Sequence, residues 1–264
     1  MKKPPWGYPA WLVGVDEVGT GALAGPFYIC AFAAEVRQWK APAGLTDSKE
    51  LTWTQKANLY RELVGENPEP FNWGNWRPKP PSPESVCIAR DGVGGPWKGV
   101  FSIISVPHQE IDRIGLRRAW LAGVKAAVIP IMDALYQGGI AGPKSEAKVV
   151  IDGNVTHPDF RGGWAFALPK ADKTVPVVSA ASIIAKVNRD MFMQKLHKQF
   201  PAYGWSVNMG YGTKTHLRAL QTHGATQFHR RSAAPVQRVL PVEERRTSEQ
   251  ILLTNTEIDI IGHD

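Results

Sequence analysis

In GVDEVGTGALAGP, residues 14–26, two adjacent carboxylates, Asp16 and Glu17, close an apolar run and a glycine-rich segment follows. On either side stand AWLVGVDEV and FYICAFAAEV, each of strand length and almost wholly apolar. Two such runs joined by glycines read as a pair of antiparallel strands, with the charge pair at a strand end. An apolar strand that ends in two carboxylates has to give them water, a proton or a cation, which sets what can lie beside it.

The remaining pattern turns this pair into a sheet with helices. LTDSKELTWTQKANLYRELVGE offers Thr and Ser caps and then a helical pattern to about Gly65. VFSIISV reads as a strand, residues 109–137 as a helix broken or kinked at Pro130, AKVVIDGN as a strand ending on Asp152, and WAFAL as a short strand. VSAASIIAKVNRDMFMQKLHKQF is a periodic helix just after Asp172, and THLRALQTHG a last one closed by Gly224. Strands that come first and then alternate with helices predict an α/β architecture, a mixed sheet with helices against it. Residues 66–98 are rich in Pro, Gly and Trp and read as an insertion, in which Trp73, Trp76 and Trp97 are expected to pack rather than stack on a ligand. From about 237 the balance turns acidic, and residues 237–264 read as a tail after a body of 1–236.

Composition narrows the function classes. The 264 residues are 43% hydrophobic, enough for a sizeable core. A net charge of +7 favours an anionic partner such as nucleic acid. The two cysteines, Cys30 and Cys87, have no spacing suited to zinc or a disulfide framework, which fits a reducing compartment. The basic start is too briefly apolar for a signal peptide, and WLAGVKAAVIPIMDALY carries Lys125, Pro130 and Asp133, so a cytoplasmic protein without a membrane span is expected.

Asp16, Glu17, Asp152 and Asp172 all sit at strand ends or beside them with apolar flanks. Partly buried carboxylates that lie close together either protonate or hold cations. Oxygen donors without Cys or His select hard ions, Mg2+ or Mn2+, and two such ions suit phosphodiester displacement. An isolated Asp at a strand end, such as Asp47 before SKELT, is ordinarily a turn or helix cap.

The blocks GVDEVGTGALAGP, LTDSKELT, EID, IDGN, ADKTVPVVSAASIIAKVNRD and MGYGTKTHLRALQTHGATQFHRRSAAPV resemble ribonuclease HII, in that family's order and approximate spacing, over roughly residues 11–236 apart from the insertion at 66–98. The resemblance implies a ribonuclease H-like fold: a mixed five-stranded sheet flanked by helices, with a C-terminal helical segment. It implies an endonuclease that cuts RNA in RNA–DNA hybrids and at ribonucleotides embedded in duplex DNA, leaving 3′-hydroxyl and 5′-phosphate ends, in ribonucleotide excision repair. Asp16, Glu17, Asp152 and Asp172 fall on the family's metal-binding acids, with two ions expected during catalysis. Gly19, Thr20 and Gly21 match a Gly-Arg-Gly motif that reads the ribose 2′-hydroxyl, here with threonine for arginine. Lys49 matches a phosphate contact and Tyr211 a tyrosine that packs on a neighbouring sugar. Because Asp16 and Glu17 are neighbours, a local bend or the strand end must bring both inward.

Between 161 and 231 eleven Lys or Arg stand against two acids, a segment expected to supply the backbone-binding face. His216, His223 and His229 are assigned no role beyond capping or core hydrogen bonds. The chain is expected to act as a monomer. EQILLTN loosely resembles clamp-docking peptides without their terminal aromatics, so a sliding clamp is the less favoured partner. The rival readings are a ribonuclease HIII-like enzyme, which usually carries an extra N-terminal domain, a hybrid-binding protein of altered catalysis, and a resolvase, which the GYGT and SAAS blocks disfavour.

Overall fold

The computed structural model describes residues 9–65, 99–136, 146–160 and 163–245. The insertion at 66–98 with its tryptophans and Cys87, Arg161, and the EQILLTN segment lie outside the described residues.

Five strands form one sheet: β1 (Trp11–Val18), β2 (Phe27–Glu35), β3 (Gly99–Val106), β4 (Ala147–Asp152) and β5 (Ala165–Leu168), ordered β3-β2-β1-β4-β5. β2 pairs antiparallel with β1 and β3, whereas β4 is parallel to β1 and β5. The sheet is therefore mixed, and β1 is its central strand.

Both faces are covered, which is why β2 has no polar alternation. On one face Val13, Val15, Ile29 and Ala31 meet Val124, Ala127, Val128 and Ile131 of α3 (Leu116–Tyr136). On the other, Cys30, Phe32 and Val150 meet Val178, Ala181 and Ile184 of α5 (Pro176–Gln199) and Leu59 of α1 (Trp53–Val64). Thr52 caps α1, its hydroxyl accepting from Gln55 N, and Gly65 ends it at φ 81°. Short helices α2 (His108–Ile114) and α4 (Ala171–Thr174) lead into α3 and α5. By length and composition α3 could cross a membrane, yet its Val124, Ala127, Val128, Ile131 and Leu135 are wholly buried and it is a core helix.

The break expected at Pro130 is misplaced. α3 runs through Pro130, and the chain breaks instead at Gly115, φ 83°, between α2 and α3. Proline forfeits one backbone bond, and the apolar face of α3 packed on the sheet outweighs it; only glycine readily takes the left-handed turn.

A third cluster holds the C-terminal helices α6 (Trp205–Asn208), α7 (Lys214–His223) and α8 (Ala234–Gln237) around Trp205, Leu220, Val236 and Leu240. Val236 is fully buried and Leu240 is 3% exposed, so ordered packing continues past residue 237. Truncation after Pro235 forfeits both side chains, about 1.5–3 kcal/mol each, whereas truncation after Arg245 keeps them. The shorter chain should melt roughly 10 °C below the longer one in a calorimetric comparison; equal melting temperatures would show that Leu240 is no part of the core.

Candidate active site

The parallel register Gly14↔Val150, Val15↔Ile151 sets Asp16 beside Asp152 one step further along both strands. Alternation does send Asp16 and Glu17 to opposite faces. Asp16 goes to the α5 side, where Ser182 hydrogen-bonds its carboxyl, and Glu17 to the α3 side, where Trp120 bonds it. Because both leave from the strand end, each still feels Asp152. No bend inside the strand is needed.

Asp172 arrives from α4. Lys170, at φ 60°, turns the chain, and Asp152 Oδ1 accepts from Ala171 N at 2.7 Å, which ties the end of β4 to the start of that helix. Lys49 Nζ stands 3.5 Å from Asp172 Oδ2. Its loop is fixed from three sides: Asp47 Oδ1 accepts from Lys49 N at 2.8 Å, Lys173 bridges Asp47 and Glu50, and the Ser48 and Ser182 hydroxyls lie within hydrogen-bond distance at 3.0 Å.

The electrostatics are those of crowded anions. Burial, then Glu17 and Asp152, push the Asp16 carboxyl up to about 8, against the Ser182 hydrogen bond. Glu17 is raised by burial and Asp152, opposed by Trp120 and Lys49. Asp172 is raised by burial, Asp152 and Asp47, opposed by Lys49. As they stand, no three His, Cys, Asp or Glu side chains among the described residues are placed to share a metal ion. Asp152 is engaged with Ala171 and Asp172 with Lys49. The donor set nevertheless fits a hard divalent cation: it is all oxygen, and burial and mutual repulsion disfavour the ionised forms of three of its members, which a cation would restore.

Beside the acids the glycine segment and the GYGT block meet. Ala22 and Tyr211 form a backbone bridge, Leu23 N donates to Gly210 O at 2.8 Å, and Arg230 N donates to Leu23 O at 2.8 Å. Two buried arginines fasten them. Arg230 donates to Thr20 O and Gly19 O, both at 2.6 Å, and Arg189 donates to Pro26 O and Met209 O with its guanidinium 5.3 Å from the Tyr211 ring centroid. Gly19, at φ 90°, has to be glycine: a Cβ there would sit 1.9 Å from Arg189 Nε. Gly21 is exposed, and Thr20 shares a cleft with Glu17 and Asp152.

Matching this geometry, a sequence profile of ribonuclease HII fits residues 13–235. The chain belongs to the ribonuclease HII family. Ribonuclease HII of Verminephrobacter eiseniae (strain EF01-2) is 37% identical over 239 residues, 90% of this chain and 91% of that one. Among solved structures, ribonuclease H2 from Pyrococcus horikoshii OT3 superposes with a TM-score of 0.54 at 20% identity, covering 87% of this chain and 96% of that one. Bst-RNase HIII in complex with Mn2+ gives 0.56 at 18% identity over 90% and 72%. These structures share the ribonuclease H-like fold. The chain is accordingly a ribonuclease H, an endoribonuclease acting on RNA–DNA hybrids.

In this ribonuclease HII family member, several residues of the basic stretch 161–231 are committed to the protein itself. Arg189 and Arg230 are interior, Lys186 pairs with Asp190 at 2.7 Å, Lys173 serves Asp47 and Glu50, and Arg231 pairs with Glu244. The buried guanidiniums satisfy backbone carbonyls, a use that charge counting along the chain does not separate from phosphate binding. His216 and His229 hold the scaffold of Tyr211: Trp205 Nε1 donates to His216 Nε2 at 3.1 Å, which also lies 3.1 Å from His229 Nε2, and His216 Nδ1 meets Tyr211 O at 2.9 Å. Burial and the neighbouring His216 lower His229 to about 3, so both rings are neutral. Ser182, Asp47, Arg189 and Arg230 escaped the sequence reading as site residues, although all four lie inside the blocks that carry the resemblance. Trp120 had no signal beyond its place in an apolar helix.

Proposed function

We propose that the chain is a metal-dependent ribonuclease HII that cuts RNA in hybrids and at single ribonucleotides in duplex DNA, leaving 3′-hydroxyl and 5′-phosphate ends. The observation that carries this reading is the β1–β4 register, which sets Asp16 level with Asp152 while Glu17 and Asp172 reach the same end of the sheet. Mg2+ or Mn2+ held by these four acids would polarise the scissile phosphate and lower the pKa of the attacking water. Lys49, exposed and tethered by Asp47, contacts a phosphate beside Asp172. Backbone groups at Gly19 and Thr20, fixed by Arg230, approach the 2′-hydroxyl, the group that separates RNA from DNA. The Mn2+ complex of Bst-RNase HIII supports the choice of ion.

The test is cleavage of a duplex containing one ribonucleotide, with Mg2+ or Mn2+ against EDTA and an all-DNA control, and end analysis of the products. Cutting of the all-DNA duplex, or undiminished cutting in EDTA, refutes the proposal.

Tyr211 packs against the sugar next to the ribonucleotide in this reading. Tyr211→Ala should then reduce cutting at a single embedded ribonucleotide by about tenfold more than cutting of a continuous RNA strand, which offers alternative registers. Thr20→Arg should change affinity only modestly, through a phosphate attraction that fades with salt, and leave the cut position unchanged. Equal losses on both substrates for Tyr211→Ala would remove the junction-reading role, and a shifted cut in Thr20→Arg would assign the register to the side chain.

A further inference from the structure

On the α3 side of the acids lies a cleft of about 660 Å³. Glu17, Thr20 and Asp152 form the part nearest the chemistry. Leu116, Trp120, Leu121, Val155 and Pro158 make the rest largely apolar, and Arg117 stands among them. Leu116 is 41% exposed and Val155 53%, so two large apolar side chains that folding leaves in water share one hollow. Such surface beside a reactive centre is ordinarily covered by what binds there.

Position and charge decide the occupant. Anything in the cleft touches Glu17 and Asp152, so a bound protein would obstruct the acids, whereas substrate has to lie against them. Arg117 is exposed and enters no ion pair among the described residues. On the opposite flank, Lys173 is already engaged with Asp47 and Glu50, and Lys49 stands beside Asp172, where the reading above gives it a phosphate of its own. A guanidinium without an ion pair among the described residues, set in an apolar wall, matches one phosphate attached to a base and sugar, and does not match a run of phosphates, which would call for a row of cations.

We propose that this cleft is a subsite for one nucleotide of the cleaved strand, next to the scissile phosphate, its base and sugar lying on the apolar wall and its phosphate meeting Arg117. The subsite rests on the hybrid-nuclease reading above. Trp120 joins it to the chemistry, because this residue both lines the cleft and hydrogen-bonds Glu17. A filled cleft holds Trp120, and through it Glu17, in place.

The experiment walks a single abasic site along the cleaved strand of a duplex with one ribonucleotide. Affinity is read by fluorescence anisotropy in EDTA, and cleavage of the intact duplex in Mg2+ is read in parallel. Wild-type affinity should fall about tenfold at one position adjoining the ribonucleotide. The double variant Leu116→Ser, Val155→Ser, at two exposed positions that folding does not require, should bind the intact duplex about tenfold more weakly and show no further loss at that position. Arg117→Ala should reduce the slope of log affinity against log salt by about 0.9. A flat abasic profile in the wild type, or a double variant with the same position-dependent loss, overturns the subsite while leaving the nuclease reading intact. A wild type that does not cut the intact duplex overturns that reading and the subsite with it.

Discussion

Asp16→Asn is expected to lower hybrid cleavage by on the order of 10³-fold or more, because partners one step removed from a metal are already worth about 10–100-fold. The same substitution should stabilise the metal-free protein. Burial and the neighbours Glu17 and Asp152 raise the Asp16 carboxyl to about 8, so between pH about 4 and about 8 the folded state keeps a proton that the unfolded state has released. Stability therefore falls as pH rises through that window. Asparagine cannot ionise, so in EDTA the variant should gain on the order of a few kcal/mol over wild type at pH 8.5 and nothing at pH 4. Urea melts at both pH values, beside cleavage assays in Mg2+, test the two halves. Full activity would remove Asp16 from the mechanism, and a variant less stable than wild type at pH 8.5 would show that its charge is already balanced.

This pairing of lost activity with gained stability explains why the acids were legible in the sequence. Adjacent carboxylates at the end of an apolar run oppose the rule that governs the rest of the strand, and such local conflicts mark sites. The strands were legible for the complementary reason: FYICAFAA is apolar without alternation because α3 and α5 cover both faces of β2. Asp16 and Asp152 could be nominated separately, but their proximity depends on the register of a parallel pair separated by more than a hundred residues.

The residues that the sequence did not reveal act over similar distances. Arg230 reaches Gly19 and Thr20 from the far end of the chain, and nothing beside it in FHRRSAAPV distinguishes a guanidinium bound for carbonyls from one bound for phosphate. Trp120 sits in a helix whose apolar residues mostly serve the core, and only the splay at the end of β1 turns it into a partner of Glu17. Asp47 looked like a cap and is one, accepting from Lys49 N, yet that cap also holds Lys49 beside Asp172. At Pro130 local propensity spoke against a continuous helix and tertiary packing prevailed.

Gly14→Ala should have the largest effect on stability of any single methyl group added near the site. Gly14 lies on β1 directly under the first turn of α5, and a Cβ there would stand 2.3 Å from Val177 C and Val178 N and 2.4 Å from Val177 O. All three are backbone atoms, so no rotamer relieves the contact; α5 has to lift from the sheet by about 1 Å, and the close-packed interface beneath it opens. Overpacking of a core ordinarily costs about 1–3 kcal/mol. Because a whole helix moves here, about 3–5 kcal/mol is expected, a fall of roughly 10 °C or more in melting temperature. Gly21→Ala is the control for stability, since its Cβ meets nothing within 4 Å. The displacement also reaches the chemistry, because α5 carries Ser182 to Asp16 and Arg189 to the glycine segment. Gly14→Ser should behave like Gly14→Ala, since the clash lies at Cβ and a hydroxyl cannot cure it. Whatever folded fraction survives at low temperature should therefore cut hybrids more slowly per folded molecule, with affinity for the duplex less affected than turnover. A Gly14→Ala protein that melts with the wild type would show that α5 does not press on β1 as closely as the sheet requires, and would leave the position of Ser182 beside Asp16 without its cause.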